Sequence, residues 1–151
     1  LRTPLSTGET AEAQADALLE RVDLFQGLTR EEVMKIFAKG MTMTCVRGDT
    51  IFRKGTEGTQ MYVVLSGEIG IFDDDKCIAR LHAGDMFGEM ALVNKEPRSA
   101  TATAVEDSRV FILSESTFER LMTKRVSIRI LLNIIRTLSQ RLRRANIRHA
   151  N

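Results

Sequence analysis

Two cysteines and two histidines are all that 151 residues offer to thiolate or imidazole chemistry. Cys45 and Cys77 are too few for a disulfide framework or a four-thiolate metal site, and isolated cysteines commonly serve as small buried hydrophobes. His82 and His149 lie too far apart in the chain to suggest the clustered ligands of a histidine-based metal site. No metal or cofactor of the protein's own is therefore expected. Apolar runs are short as well: Met61 to Leu65 and Ile130 to Ile135 are the longest, against the roughly twenty apolar residues that a membrane span needs. Membrane insertion by this chain is not expected. Nothing near the N-terminus pairs basic residues with an apolar stretch, so a cytoplasmic location is expected. Charge is nearly balanced, 22 Lys and Arg against 20 Asp and Glu, which supplies no global pull toward nucleic acid or an anionic membrane. Any anion must be held by a local site.

What is present is enough apolar material, 43% of the residues, to close one core in a single domain. Residues 1–10, rich in Thr, Ser, Gly and Pro, form a lead-in. Residues 11–40 read as two helices: Ala11 to Val22, with Leu18, Leu19 and Val22 as its buried stripe, and a short one capped by Thr29, with Glu31 and Glu32 in its first turn and an end at Gly40. From Met41 to Leu113 the rhythm changes to short β-branched and apolar segments punctuated by glycine at 48, 55, 58, 67, 70, 84 and 88. Strands are expected at Met41 to Cys45, Thr50 to Arg53, Gln60 to Ser66, Glu68 to Phe72, Cys77 to His82, Arg98 to Ala104 and Ser108 to Leu113, with a polar hairpin turn at Asp73 to Lys76. Seven or eight strands at this spacing suit a sandwich, roll or jelly roll.

Residues 114–151 return to helix. Ser114 to Thr117 offers capping residues, and Phe118, Leu121 and Met122 one buried face. After a break near Lys124 to Val126 a long helix runs toward Ile147. Its Ile128, Leu131, Ile135, Leu138, Leu142 and Ala145 follow the 3-4 spacing of a coiled-coil seam, with Ile130 and Ile134 as a second apolar face. A homodimer through this helix is expected.

The chemistry concentrates in Gly84 to Ala104, GDMFGEMALVNKEPRSATATA. Gly88, Glu89, Met90, Ala91 and Leu92 suit one tight helical turn whose free N–H groups attract a phosphate. Arg98 follows nine positions after Glu89, and its planar fork can grip two phosphate oxygens. An ionised Glu89 only accepts hydrogen bonds, so beside a phosphate its natural partner is a hydroxyl, for which a ribose 2′-OH fits. Pro97 sets the approach, Ser99 adds a hydroxyl, and Ala100 and Ala102 leave room on the arginine's face. Each piece alone has a bland explanation, an ion pair, a turn or close strand packing; their joint order is much less easily accidental.

That stretch resembles the phosphate-binding cassette of cyclic-nucleotide-binding domains, found in bacterial catabolite-activator-type regulators, kinase regulatory subunits and cyclic-nucleotide-gated channels. Phe87-Gly88-Glu89, Ala91-Leu92 and Pro97-Arg98-Ser99-Ala100-Thr101 carry the resemblance, supported by Arg47-Gly48-Asp49 and Tyr62 to Glu68. It runs from Leu24 to about Ala145. The resemblance implies an α+β fold: an eight-stranded antiparallel β-roll (a double-stranded β-helix, jelly-roll-like) flanked by N-terminal helices and a long C-terminal helix. It implies that Glu89 holds the ribose 2′-OH and Arg98 the cyclic phosphate, that the backbone around Gly88, Met90 and Ala91 completes the cradle, and that Ser99 and Ala100 line the pocket. It further implies that the last helix acts as a lid, with Leu131, Ile135 and Asn146 as lid candidates. The implied ligand is cAMP, with cGMP the alternative because a hydroxyl at Ser99 suits either, and a cyclic dinucleotide the less fitting third choice.

Rival readings find less support. The basic helix end, with Arg136, Arg141, Arg143, Arg144 and Arg148, reads as a solvated face, and direct DNA binding is not expected. A cupin-type enzyme or a haem or iron–sulfur sensor would call for histidine or cysteine clusters, so catalysis is not expected. The remaining alternative is a scaffold or dimerisation module that keeps the roll but ignores nucleotides. Under the preferred reading, ligand shifts a hinge at Lys124 to Val126 and reorients the long helix toward a fused or separate effector.

Overall fold

The computed structural model describes residues 22–92, 96–121 and 124–150. The lead-in and the helix expected over Ala11 to Val22 lie outside the described residues except for Val22, as do the side chains of Phe118, Leu121 and Met122. Eight antiparallel strands are present: β1 (Met41–Cys45), β2 (Thr50–Phe52), β3 (Gln60–Ser66), β4 (Ile69–Asp73), β5 (Lys76–Leu81), β6 (Met86–Phe87), β7 (Thr101–Ala104) and β8 (Ser108–Ser114). They form two four-stranded sheets, β1-β8-β3-β6 and β2-β7-β4-β5. The chain passes repeatedly from one sheet to the other, which is the expected eight-stranded roll.

The apolar runs decide how the layers stack. In β3, Met61 and Val63 face one way and Tyr62 and Val64 the other, and all four are buried. Strand β8 repeats the arrangement with Phe111 and Leu113 against Val110 and Ile112. Side chains alternate across a strand, so a run with no polar partner residue needs cover on both faces. One face meets the opposite sheet through Ile69, Ala102 and Ala104, with Cys45 and Phe87 of the same sheet completing the cluster. The other meets a helical layer through Leu24, Phe25, Val33, Ile36, Ile130 and Ile134.

That layer comprises a 3-10 turn at Asp23–Phe25 and helices α1 (Arg30–Lys39), α2 (Glu115–Leu121) and α3 (Lys124–Ala150). Thr29 caps α1 as expected and closes a capping box: its hydroxyl accepts from the Glu32 amide at 3.2 Å, and the Glu32 carboxylate accepts from the Thr29 amide at 2.9 Å. Ser114 caps α2, accepting from the Thr117 amide at 3.1 Å. Helix α3 already includes Lys124 to Val126, with Val126 buried, so the expected break does not fall on those residues.

Three further expectations change. Strand β7 starts at Thr101 rather than Arg98, because the Arg98 backbone pairs instead with a turn: its N–H donates to Thr56 O at 2.8 Å and its carbonyl accepts from Gly55 N–H at 2.7 Å. A two-residue strand, β6, appears inside the stretch read as a binding loop. The proposed coiled-coil seam divides: Leu131 and Leu138 pack partly buried onto the chain's own core, whereas Ile128, Ile135 and Leu142 are exposed together with Leu132 and Ile147. Buried Ile130 and Ile134 fix which side of α3 faces the roll, and this splits the 3-4 pattern between two surfaces.

Candidate functional site

At one end of the roll a cavity of about 640 Å³ opens between the β6–β7 connection, strand β5 and the far half of α3. Gly88, Glu89, Met90, Arg98, Ser99 and Ala100 all line it. The sequence-predicted helical turn is a 3-10 turn, Glu89–Leu92, which also contains Ala91. The loop geometry thus gathers those six residues onto one wall.

Arg98 is the centre of that wall. Its Nη2 donates to Gln60 O at 2.6 Å and its Nη1 to Gly88 O at 3.1 Å, and its guanidinium carbon lies 4.3 Å from the centre of the Phe52 ring. Phe52, Tyr62 and Phe87 form a contiguous aromatic floor, with ring centres 5.0 to 5.9 Å apart. A guanidinium over an aromatic face gains a cation–π attraction while losing water. Burial pushes the Arg98 guanidinium down from its ordinary basicity, with Tyr62 and Glu89 acting in the opposite direction; guanidinium nonetheless keeps its charge. Its Nε is buried and finds no acceptor among the described residues.

Two glycines make room for this group. A Cβ on Gly58 would stand 2.6 Å from Arg98 Nη2, and one on Gly88 would stand 2.8 Å from Nη1. Gly88 also has φ of +69°, a backbone conformation that side chains other than glycine's rarely adopt. Only the absence of both side chains lets the fork lie flat between Gln60 and Gly88.

Glu89 is 5% exposed, yet Arg98 is not its hydrogen-bonding partner. Arg141 on α3 forms an ion pair with Glu89 Oε1 and donates through Nη2 to Met86 O at 2.8 Å. Read from sequence as part of a solvated basic face, Arg141 is instead half-exposed and reaches into the cavity wall. Arg144 and Ala145 line the cavity beside it. The other lid candidates lie elsewhere: Leu131 packs on the core, Ile135 is 61% exposed, and Asn146 is exposed next to Ala145, and none of the three lines the cavity. The helix register is set by buried Ile130, Asn133 and Ile134, which turns the stretch from Arg141 to Ala145 toward the opening. Phe52, which supports Arg98, was also missed; in sequence it is an ordinary strand phenylalanine.

The lining carries four arginines (Arg80, Arg98, Arg141, Arg144) and three carboxylates (Asp85, Glu89, Glu96), together with apolar Ile71, Ile78 and Leu81. Such a wall accommodates an anion, a hydroxyl donor and a flat apolar group at once. Among the described residues no three His, Cys, Asp or Glu side chains gather as a metal site. No described helix is long and apolar enough to cross a membrane.

Two antiparallel sheets rolled on each other, an arginine cradled by two glycines at one mouth and a long helix across that mouth define a double-stranded β-helix with a polar, helix-covered cavity. The chain belongs to the cyclic nucleotide-binding domain family, whose model matches residues 42–125. Among curated relatives, the cAMP-dependent protein kinase regulatory subunit of Hypocrea atroviridis is 36% identical over 104 residues, 69% of this chain and 22% of that protein. The cyclic AMP receptor protein of Thermus thermophilus is 33% identical over 129 residues, 82% of this chain and 59% of that protein. The chain thus spans from about a fifth to about three fifths of the length of these relatives. Among solved structures, a cyclic nucleotide-binding domain from Methylobacillus flagellatus shares the fold at a TM-score of 0.82 and 24% identity, covering 91% of this chain and 83% of that one. The regulatory domain of Toxoplasma gondii PKA, solved with cAMP, matches at a TM-score of 0.68 and 29% identity, covering 84% of this chain and 50% of that one.

Proposed function

We propose that this chain is a regulatory module, without catalytic activity, that binds a cyclic nucleotide, cAMP first and cGMP second, in the cavity under α3. The observation that carries the reading is Arg98: a half-buried guanidinium with an unpartnered buried Nε, held beside a buried carboxylate at one cavity wall. A buried polar group without a partner is costly, and a phosphate oxygen is the strongest acceptor an arginine meets. In this reading Arg98 takes the cyclic phosphate, Glu89 accepts from the ribose 2′-OH, and the backbone of Gly88, Met90 and Ala91 closes the cradle. Ser99 and Ala100 line the same wall, and Arg144 and Ala145 approach from the lid side. The relatives named for cAMP support the choice of base.

The signal leaves through α3, whose far half lies over the cavity while its near half is packed on the core. A change in cavity occupancy reaches the helix, and through it a fused or separate effector. The exposed row Ile128, Leu132, Ile135 and Leu142 suits a second copy of the chain, which makes a homodimer the expected assembly. A cytoplasmic location fits a ligand of this class.

Isothermal titration of the purified protein with cAMP and cGMP, alongside Arg98→Ala and Glu89→Ala, tests the reading. Micromolar or tighter binding that is lost in Arg98→Ala is the expected result. No heat with either nucleotide would favour the alternative, a nucleotide-independent scaffold.

A further inference from the structure

Helix α3 separates charge from the rest of the chain. Between Lys124 and Ala150 stand eight of the 22 Lys and Arg and no Asp or Glu, so the remaining residues hold the other fourteen basic side chains and all 20 acidic ones. Two of the helix arginines are already paired to the body, Arg125 with Glu32 and Arg141 with Glu89. Arg129, Arg136 and Arg143 are exposed and have no carboxylate partner among the described residues. They recur every seventh position, nearly two full turns, so they form a row with about 10.5 Å between neighbours. Each directly follows an exposed apolar residue, Ile128, Ile135 or Leu142. An arginine row and an apolar row therefore run side by side on the solvent face, about 100° apart round the helix, while buried Ile130 and Ile134 mark the side against the core.

Charges that flank an apolar row set which helix can pair with it. A second copy of the chain brings only another helix without a carboxylate, so in the homodimer proposed above the arginine row stays unpaired beside the seam. A lipid surface or a nucleic-acid duplex is broad enough to approach the acidic body as well, within the roughly 8 Å over which charges act at physiological salt. A single acidic helix meets α3 alone. We propose that this strip docks an acidic amphipathic helix of the effector, with a carboxylate every seventh residue set against Arg129, Arg136 and Arg143. Leu132 and Ile147, exposed near the same flank, offer that helix apolar contact. The inference goes beyond nucleotide binding, because none of the three arginines lines the cavity.

The test measures fluorescence anisotropy of a labelled helical peptide of about three heptads, with Leu and Glu each at heptad spacing, titrated with the full chain. A second peptide carries Lys in place of Glu, and duplex DNA and vesicles of equal parts phosphatidylcholine and phosphatidylserine serve as broad anionic surfaces. Wild type should bind the Glu peptide, more weakly as salt rises, and prefer it to the Lys peptide by about tenfold or more, the scale of several exposed ion pairs acting together. The double variant Arg136→Glu with Arg143→Glu should reverse that preference while its melting temperature and its light-scattering mass stay as in wild type. Equal binding of the two peptides by wild type, or a preference that survives the double variant, overturns the inference. Binding of the duplex or the vesicles at lower concentration than the Glu peptide overturns it in favour of a polyanion, and a change of assembly state in the double variant overturns it in favour of a second copy. Failure of wild type to bind cAMP strikes the nucleotide reading alone, since peptide binding is read without nucleotide.

Discussion

Asn133 on α3 donates from Nδ2 to the carbonyl of Leu24 at 2.7 Å, across 109 residues of chain. The same amide reaches Gln26 O at 3.0 Å, while its own Oδ1 is buried without a partner among the described residues. One side chain thus ties the long helix to the 3-10 turn beneath it. Replacing Asn133 with Ala withdraws a donor from two carbonyls and is expected to cost about 1–3 kcal/mol. A urea titration should show the midpoint fall with the slope unchanged.

Gly58→Ala tests the cradle separately from the fold. The new methyl would lie 2.6 Å from Arg98 Nη2, the far end of a flexible side chain that can move aside. Stability should therefore change little, whereas nucleotide affinity should drop by roughly tenfold or more as the fork leaves its position. Thermal melting and calorimetry on the same sample separate the two effects.

The thiols should differ sharply in reactivity. Cys45 is 2% exposed, and burial pushes its thiol pKa up, with Asp49 adding to the shift. A thiol pKa raised by folding contributes stability below the unfolded value and loses it as pH rises through the folded one. At neutral pH Cys45 therefore stays protonated and unreactive. A thiol-specific reagent should modify half-buried Cys77 in the native protein and Cys45 only after unfolding.

Glu32 predicts an acid-side effect. Its carboxylate is held below the usual Glu range, first by the hydrogen bond from the Thr29 backbone and then by Arg125. A depressed carboxylate pKa contributes stability above the unfolded value, and that stability is lost as pH falls through the folded one. Glu32→Gln should flatten the acid arm of the stability curve, measured by melting temperature from neutral pH downward. Thr29→Ala, which removes the cap itself, should cost about 1 kcal/mol.

Ile135 and Leu142 are 61% and 62% exposed on α3. The homodimer proposed through α3 predicts that Ile135→Asp with Leu142→Asp gives a monomer in light scattering while leaving the urea midpoint almost unmoved, since neither side chain belongs to the monomer's core.

Much of the roll could be read because its strands carry their reasons locally. Gln60–Ser66 matches in full, and the hairpin at Asp73 to Lys76 appears with Asp73 opposite Lys76. Its polar residues Asp74 and Asp75 lie between apolar segments, and Asp74 adopts φ of +53°. The cap at Thr29 was legible for the same reason, since donor and acceptor lie three residues apart. Strand β6 was not legible: two residues pair only because Tyr62 and Val63 of β3 pass beside them. At the site, Gly88, Glu89 and Arg98 could be grouped because they lie within eleven residues of sequence. Arg141 could not, because nothing in its helical neighbourhood distinguishes it from Arg143 or Arg144.

By itself the sequence determined where helix yields to strand, which residues cap, and that a glutamate, two small residues and an arginine share one loop, for these depend on period and spacing along the chain. Tertiary structure alone decided which face of α3 turns inward. That choice rests on Ile130, Ile134 and Asn133 finding partners more than a hundred residues earlier. It carries Arg141 to Glu89, leaves Ile135 in solvent, and sets what the long helix can sense. Burial and hydrogen bonding across the fold select one helix register from several that the same apolar pattern permits.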